Sequence, residues 1–377
     1  MISTGIYIDI GIPVKLTLFK FLCPIIFLVG AIKLHYRRIE KFNFILLLYI
    51  CFLLLFSILR SNEYISLANI ALMALGMFGT YLIYTNIDFK RRKQILFILL
   101  LVLFIQSSIE LLFLALKMEA ELFLFPTVGR VDGWVTEPSH YAYIVLLLCI
   151  TYITSFNISP TKGLLLLLFF LPSLYFSQSS YGYIFLLLSL IIAMTYHTNK
   201  MKSYETLFYS LCGGLFIITL MALTYQNELT QRVFDTLAGF YNYDDQAMDS
   251  SARVRLLPFM ILMQMIDTFS INNLIFGNGL GSSSYFISNT VGVNTEEGHL
   301  TSFLYDFGLV GLLWIFALIK FITSEMPSKL WIRLMFIFMM FNMNIGTQVF
   351  WLSIFCFAVI RFEQSYYHKF SRSREIS

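Results

Sequence analysis

An acidic element at the start of one apolar segment is the first candidate for chemistry. Glu137, Pro138, Ser139 and His140 occur there in this order. Proline suits the first position of a helix, and the free backbone amides that follow, together with the helix dipole, favour an anion. A partly desolvated carboxylate such as that of Glu137 can act as a general base. The simpler interpretation is that Glu137 stabilises the helix start electrostatically and that His140 is an interfacial residue.

Two arginines form a second candidate site. Arg253 and Arg255 lie near the beginning of "SSARVRLLPFMILMQMIDTF", residues 250–269, whose charged start and interrupted apolar body predict an interfacial helix. Two guanidinium groups in a headgroup layer can clamp a diphosphate through forked hydrogen bonds. Contact with ordinary lipid phosphate is the alternative interpretation.

A glycine-rich stretch, a histidine and an aspartate complete the candidates. The glycines of "FGNGLG", among them Gly279 and Gly281, allow close backbone approach to a ligand, but no strand precedes them and the pattern is not a dinucleotide fingerprint. His299 can take a hydroxyl proton near neutral pH, although a lone histidine is more often structural. Asp306 lies in an apolar segment and needs a polar partner or a water-filled cavity, so it either orients the site or binds a neighbouring helix cap.

The elements that must position these residues are strongly apolar. The chain has 377 residues, of which 58% are hydrophobic and 13% are charged, with a mean hydropathy of +0.76, whereas a soluble domain is about one quarter charged. Apolar stretches near the ~20 residues needed to cross the hydrocarbon layer recur along the chain. Because these stretches have no alternating polar face, they favour closed helices over a barrel. We therefore predict an all-α polytopic membrane protein with about eleven transmembrane helices and one large external loop.

Basic residues determine the predicted orientation, because every odd-numbered span ends at a basic link. The positive-inside rule makes those links cytoplasmic, which puts the N-terminus outside and the C-terminus inside the cell. The predicted spans lie near residues 16–32, 43–59, 64–84, 95–116, 139–156, 163–177, 181–196, 207–224, 300–323, 330–346 and 347–362.

The spans divide the chain into three parts. Residues 1–224 hold the first eight helices, with a short external loop at 117–138 that contains the EPS element. Residues 225–299 form the large external loop, and residues 300–377 hold the last three helices and a cytoplasmic tail. Most of the non-membrane sequence lies in the large loop, so function is expected there.

The remaining composition argues against several classes of protein. The net charge of +4 comes from basic residues scattered among the links between helices, so we predict no nucleic-acid partner. The cysteines lie inside apolar segments without a CxxC pair, and the sequence has neither an external DxD motif nor a cluster with metal-ligand spacing. We expect no metal and no cofactor.

The ordered set of motifs resembles a known family. "TEPSHYA" precedes a membrane helix, "SARVR" lies in the long external loop, and "IFGNGLG" and "YDFGLVGLL" follow in that order. This arrangement resembles the Wzy-type O-antigen and capsule polymerases across the middle and C-terminal two thirds of the chain, and the related O-antigen ligases share part of it. The resemblance implies an inverting glycosyl transfer at the outer face of the bacterial inner membrane, from undecaprenyl diphosphate-linked sugars, without a nucleotide sugar or a metal.

The resemblance also assigns site residues. The paired arginines of the family correspond to Arg253 and Arg255, and its EPS element corresponds to residues 137–139. The candidate catalytic residues are therefore Glu137, His299, Arg253 and Arg255, and the candidate substrate-binding residues are Arg130, Ser139, His140, Gly279, Gly281 and Asp306.

One departure from the family pattern concerns the histidine. The ligases carry a His-Asn pair, whereas His299 precedes Leu300, and its spacing to Gly308 is about two residues short, which turns a helix by roughly 200°. The departure favours a polymerase over a ligase, and Glu137 and His299 stay open as the general base.

Two other classes of function stay open. An O-antigen ligase would transfer polymer to the lipid A core, and a flippase would move lipid-linked repeats across the membrane. We favour an enzyme over a flippase because the sequence has no repeat symmetry and its polar residues concentrate in one external loop. A purely structural scaffold leaves the EPS and arginine elements without a role. The partners we expect are an undecaprenyl diphosphate-linked oligosaccharide and membrane lipid, with a chain-length regulator protein as a further candidate.

Overall fold

The structure of the chain, a computed structural model, is almost entirely helical where it is described, which confirms the predicted all-helical class. A short antiparallel pair of strands, β1 (Tyr7–Ile8) and β2 (Leu16–Thr17), precedes the first helix and was not predicted. The described residues are 7–8, 16–35, 41–60, 64–115, 138–177, 180–197, 261–267, 270–291, 300–324, 326, 329–340 and 347–375.

Among the described helices, four are long and apolar enough to cross a membrane, and several others carry shorter apolar stretches. The four stretches are Phe42–Leu59, Leu67–Thr85, Phe89–Phe113 and Leu300–Thr323. The predicted total of about eleven spans stays a prediction.

In chain order, the described helices are α1 (Leu18–His35), α2 (Lys41–Arg60), α3 (Tyr64–Thr85), α4 (Phe89–Ala115), α5 (Pro138–Ser155), α6 (Pro160–Phe176), α7 (Ser180–His197), a helical stretch at 261–267, α8 (Ile271–Phe276), α9 (Ser282–Val291), α10 (Leu300–Thr323), α11 (Lys329–Met340) and α12 (Gln348–Glu375).

Predicted and observed helix bounds agree best at α10, which occupies 300–323 in both. The predicted span at 207–224 lies outside the described residues, and so does most of the predicted interfacial helix at 250–269. The largest difference is at the end of the chain, where α12 continues to Glu375, well past the predicted span end at 362. Hydrophobicity marks where a span leaves the apolar layer, and a helix can continue beyond that point when, as in residues 363–375, the sequence has neither glycine nor proline.

Large apolar side chains cover the outward faces of α2 and α4. Leu48 and Leu55 of α2, and Ile98 and Leu112 of α4, are between 50% and 58% exposed. A helix at the surface of a soluble protein carries charged and polar residues on its outward face. These exposed apolar faces support lipid as the surrounding solvent.

Glycines let α1 and α3 pack with their backbones in contact. A Cβ atom added to Gly79 would lie 2.6 Å from the Cα of Phe27, and one added to Gly30 would lie 2.8 Å from the Gly79 carbonyl oxygen. One helical turn away, a Cβ on Gly76 would lie 2.3 Å from the sulfur of Cys23. Small residues at such crossings allow the dense packing that holds helices together in lipid.

Helix α5 forms the centre of the bundle. Every residue from 140 to 151 is buried, and α5 packs against α4, α6, α7 and α12. Its Tyr143 hydroxyl is 2.9 Å from the hydroxyl of Ser353 on α12. A helix that is covered on all sides belongs to the core. The EPS element, which ends in the first turn of α5, therefore leads directly into the core of the bundle.

A buried ion pair joins α4 to α12. The Arg92 guanidinium donates from Nε to Oε1 of Glu363 at 2.6 Å. The Tyr84 hydroxyl, at the end of α3, donates to the same oxygen at 3.0 Å. The ring of Phe362 lies 5.0 Å from the centre of the guanidinium. The contact thus joins the end of α3 and the start of α4 to the middle of α12 around one charge pair.

Candidate functional site

The candidate residues fall into two groups in the structure. His140, Gly279, Gly281 and Asp306 are described, and the backbone of Ser139 lies in the first turn of α5. The other five candidates lie outside the described residues, and their roles stay predictions: Arg130, Glu137, Arg253, Arg255 and His299.

Helix α10 is broken at Gly308, a feature that the sequence interpretation did not include. Gly308 has φ 63° and ψ −164°, which is far from helical geometry and is open almost only to glycine. A break of this kind removes the helical donors for the carbonyls of the preceding turn. The amide of Asn278 donates instead to the Tyr305 carbonyl at 2.8 Å, and the amide of Gly279 donates to the Asp306 carbonyl at 3.0 Å.

The Asp306 side chain connects the same two segments in the opposite direction, because here a residue of α10 accepts hydrogen bonds from the start of α9. Its carboxylate accepts hydrogen bonds from the amide of Ser283 at 2.7 Å, from the hydroxyl of Ser283 at 3.0 Å and from the amide of Gly281 at 3.3 Å. These amides lie at the start of α9, where a helix has no donor partners of its own and favours a negative charge. The Asp306 side chain therefore caps the start of α9, and its predicted part in substrate binding stays a prediction.

The two segments therefore cap each other, and we call residues 277–283 together with 305–308 the reciprocal joint. Its glycines are needed for backbone contact. A Cβ on Gly277, at φ 75°, would lie 2.2 Å from the Asp306 carbonyl oxygen, and a Cβ on Gly308 would lie 2.4 Å from the Gly277 nitrogen. The amides of Gly279 and Gly281 face Asp306, so these glycines serve the joint. Their predicted contact with a ligand stays a prediction.

A second polar group surrounds the first turn of α5, close to His140. His140 itself is buried, and the neighbouring Tyr141 donates its hydroxyl to Ser173 of α6 at 2.9 Å. The Ser107 hydroxyl of α4, which donates to the Phe104 carbonyl at 3.0 Å, lies near Tyr141. Next to Ser107, Gln106 donates from Nε2 at 3.0 Å to Oε1 of Glu110, which lies one turn further along α4. Polar side chains of three helices thus meet behind the EPS element.

Glu110 is the functional candidate that the sequence interpretation missed. It is 5% exposed, and it lies in the apolar stretch of α4 that can cross a membrane. An ionisable residue within such a stretch marks a functional site by default, and this reasoning had selected Asp306. The sequence therefore contained a signal for this candidate. In "ILFILLLVLFIQSSIELLFLAL", the carboxylate of Glu110 follows many apolar residues.

Within the described part of the chain, no three His, Cys, Asp or Glu side chains are grouped so that they could hold a metal ion. The chemistry that the described groups can perform is hydrogen bonding, charge stabilisation and proton transfer. No protein-family model, curated protein or solved structure matches the chain, so its function must be argued from its own residues.

Proposed function

We propose that the chain is a polysaccharide polymerase, which joins undecaprenyl diphosphate-linked oligosaccharide repeat units at the outer face of the bacterial inner membrane. The donor is the growing glycan on its lipid diphosphate, and the acceptor is the terminal sugar of the next lipid-linked unit. The observation that supports this most is the reciprocal joint. Two motifs that are far apart in the family pattern, "IFGNGLG" and "YDFG", form one hydrogen-bonded unit.

The reaction follows from the chemistry of the substrates. A sugar hydroxyl of the acceptor attacks the anomeric carbon of the donor and forms the new glycosidic bond with inversion. The bond from that carbon to the diphosphate breaks, and the hydroxyl proton passes to the general base, Glu137 or His299. The negative charge that grows on the leaving diphosphate is stabilised by Arg253 and Arg255.

The proposed topology has about eleven spans, with the N-terminus outside and the C-terminus in the cytoplasm. The packing of the helix ends supports this arrangement. Arg361 of α12 lies 4.7 Å from the ring of Phe42 at the start of α2 and 5.0 Å from the ring of Phe321 at the end of α10. Arg92 pairs with Glu363 only two residues away along α12. Two basic residues of predicted cytoplasmic links, Arg92 and Arg361, thus lie at the same end of the bundle.

A transporter is the rival from another class, and the break in α10 is the observation that favours it. Transporters often bind ions or substrates at the freed backbone groups of interrupted helices. In this chain, the carbonyls of Tyr305 and Asp306 are already occupied by the amides of Asn278 and Gly279. The break therefore supports a structural joint more than an ion site.

The experiment that tests the proposal is the gel pattern of surface polysaccharide from a deletion strain. One repeat unit left on its acceptor supports a polymerase. Polymer still made on the undecaprenyl carrier but absent from the lipid A core supports a ligase. Purified protein in liposomes tests the transporter, which moves labelled lipid across the bilayer without forming a glycosidic bond.

A further inference from the structure

Aromatic contacts align α10 with α2. Three pairs of rings join the two helices, with centroids 5.2, 6.3 and 6.2 Å apart: Phe42 with Phe321, Tyr49 with Trp314, and Phe56 with Phe307. Because residue numbers rise along α2 as they fall along α10, the helices run antiparallel. The apolar stretch of α2 therefore ends, at Leu59, on the same side of the bundle where the apolar stretch of α10 begins, at Leu300.

Both stretches place the reciprocal joint below the edge of the apolar layer. Phe307, which belongs to the joint, comes seven residues after Leu300, and at about 1.5 Å per residue this is about 10 Å along the helix. Its ring partner Phe56 comes three residues before Leu59, which is about 4–5 Å. The connection between α8 and α9, which contacts α10 at this level, therefore lies about 5–10 Å inside the layer.

The connection between α8 and α9 has the properties of irregular backbone at membrane depth. Such backbone is tolerated there only where protein covers it and its polar groups are paired. Gly277 and residues 279–281 are all buried. The amides of Asn278 and Gly279 donate to carbonyls of α10, and the amide of Gly281 donates to the Asp306 carboxylate. Hydrogen bonds within the protein thus replace those that water would make.

The exposed surface of α8 and α9 suits the boundary between acyl chains and headgroups. Ile271 is 64% exposed, Phe276 is 39% exposed and Tyr285 is 68% exposed. Three polar residues are exposed as well: Asn272, Ser284 and Asn289. Residues 270–291 contain no charged residue. Aromatic and apolar side chains mixed with polar ones are typical of segments whose apolar face is buried about 5–10 Å into this boundary.

We propose that α8 and α9 form a re-entrant element, residues 270–291, whose exposed apolar face contacts the acyl chains of one leaflet. This face lies at the depth of the outward face of α2, where Leu55 is about 6 Å from the end of the apolar stretch. On the predicted topology the leaflet is the outer one. The element removes residues 270–291 from the predicted aqueous loop at 225–299. The inference rests on the membrane span of α10 and is independent of the proposed function.

Spin labelling in proteoliposomes tests this proposal. A nitroxide is attached to a single cysteine at Ile271 or at Tyr285, in a variant whose native cysteines are replaced by serine. Oxygen concentrates among acyl chains, whereas a water-soluble nickel chelate stays in water, so the ratio of their collision rates with the label reports its surroundings. We expect oxygen to collide with the label more often than the chelate does at both positions.

Two matched labels calibrate the ratio. Leu55 is 58% exposed and lies at about the same depth on α2, so its label should report acyl chains. Asp88 is exposed in the link between α3 and α4, so its label should report water. Ratios at Ile271 and Tyr285 that both match the ratio at Leu55 support the re-entrant element, and a ratio at either position that matches Asp88 overturns it. Thermal unfolding in detergent verifies that each labelled variant is folded.

Discussion

The carboxylate of Asp306 holds the amide of Ser283 at 2.7 Å and the hydroxyl of Ser283 at 3.0 Å, so that a residue of α10 caps the start of α9. We expect Asp306→Ala to lower the free energy of unfolding by about 1–3 kcal/mol, because it leaves buried donors without an acceptor. Asp306→Asn keeps one acceptor and should lose less. Unfolding midpoints in detergent measure both. Ser283→Ala is the control, since it keeps the amide bond, and an equal loss in Ser283→Ala would contradict the cap.

Gly308 should not tolerate a side chain. Gly308→Ala forces a Cβ into a backbone geometry that costs about 1–3 kcal/mol, and it also presses on the Gly277 nitrogen at 2.4 Å. We expect lower stability and a loss of polymer. Gly163→Ala serves as the comparison, because Gly163 is helical and its nearest neighbour is the flexible side chain of Ile153. That variant should be neutral or stabilising, and a Gly308→Ala variant as stable as the wild type would show that the break at Gly308 is not needed.

The pair of Arg92 and Glu363 should behave as a buried charge pair. Glu363→Gln leaves the guanidinium uncompensated and should cost about 3–5 kcal/mol, while the double change Arg92→Leu with Glu363→Leu should recover most of that loss. Tyr84→Phe removes only one donor and should cost about 0.5–1.5 kcal/mol. Thermal unfolding of the four proteins, wild type included, decides between these values. A double variant as unstable as Glu363→Gln would mean that the pair itself stabilises the fold.

The predicted topology can be tested by cysteine labelling in a variant whose native cysteines are replaced by serine. A cysteine at Asn242 should react with a membrane-impermeant reagent in cells with a permeable outer barrier, since residue 242 belongs to the predicted external loop. A cysteine at Lys202 should react only after the inner membrane is opened. Labelling of the Lys202 position alone in intact cells would invert the orientation.

Arg253 and Arg255 should be separable by conservative replacement. On a helix, residues two apart point about 200° away from each other, so one arginine should matter more than the other. Lysine keeps the charge but loses the planar fork, so at the critical position even lysine should shorten the polymer. Polymer length and yield at matched membrane abundance test both the Ala and Lys variants. Near-normal polymer in both Ala variants would rule out a diphosphate clamp.

How far sequence reasoning succeeds depends on whether the signal is local. The bounds of α10 were predicted because an apolar run begins and ends sharply at 300–323. The break at Gly308 within that run was missed, because hydrophobicity does not report a positive φ. Asp306 was marked as needing a polar partner, but the partner, Ser283, lies in another segment of the chain and was not identifiable from spacing.

The other differences between prediction and structure involve contacts between residues that are far apart in the sequence. Arg92 was used only as one of the basic residues that set the orientation, yet it is buried against Glu363. The burial of Glu110 depends on the packing of α4 against α5 and α6, which periodicity alone does not predict. The ends of α5 and α7 were close to correct because proline and polar residues punctuate the sequence there.

The partners in the Arg92–Glu363 pair are 271 residues apart in sequence. At a synthesis rate of roughly 5–20 residues per second, the ribosome needs on the order of 15–55 s to make the glutamate after the arginine. During that interval the nascent chain carries an uncompensated charge at the edge of the bundle. Insertion of α12 neutralises this charge, so a chain that stops short of Glu363 leaves the Arg92 guanidinium without its carboxylate. The ion pair therefore forms late in synthesis, only after the glutamate of α12 has been made.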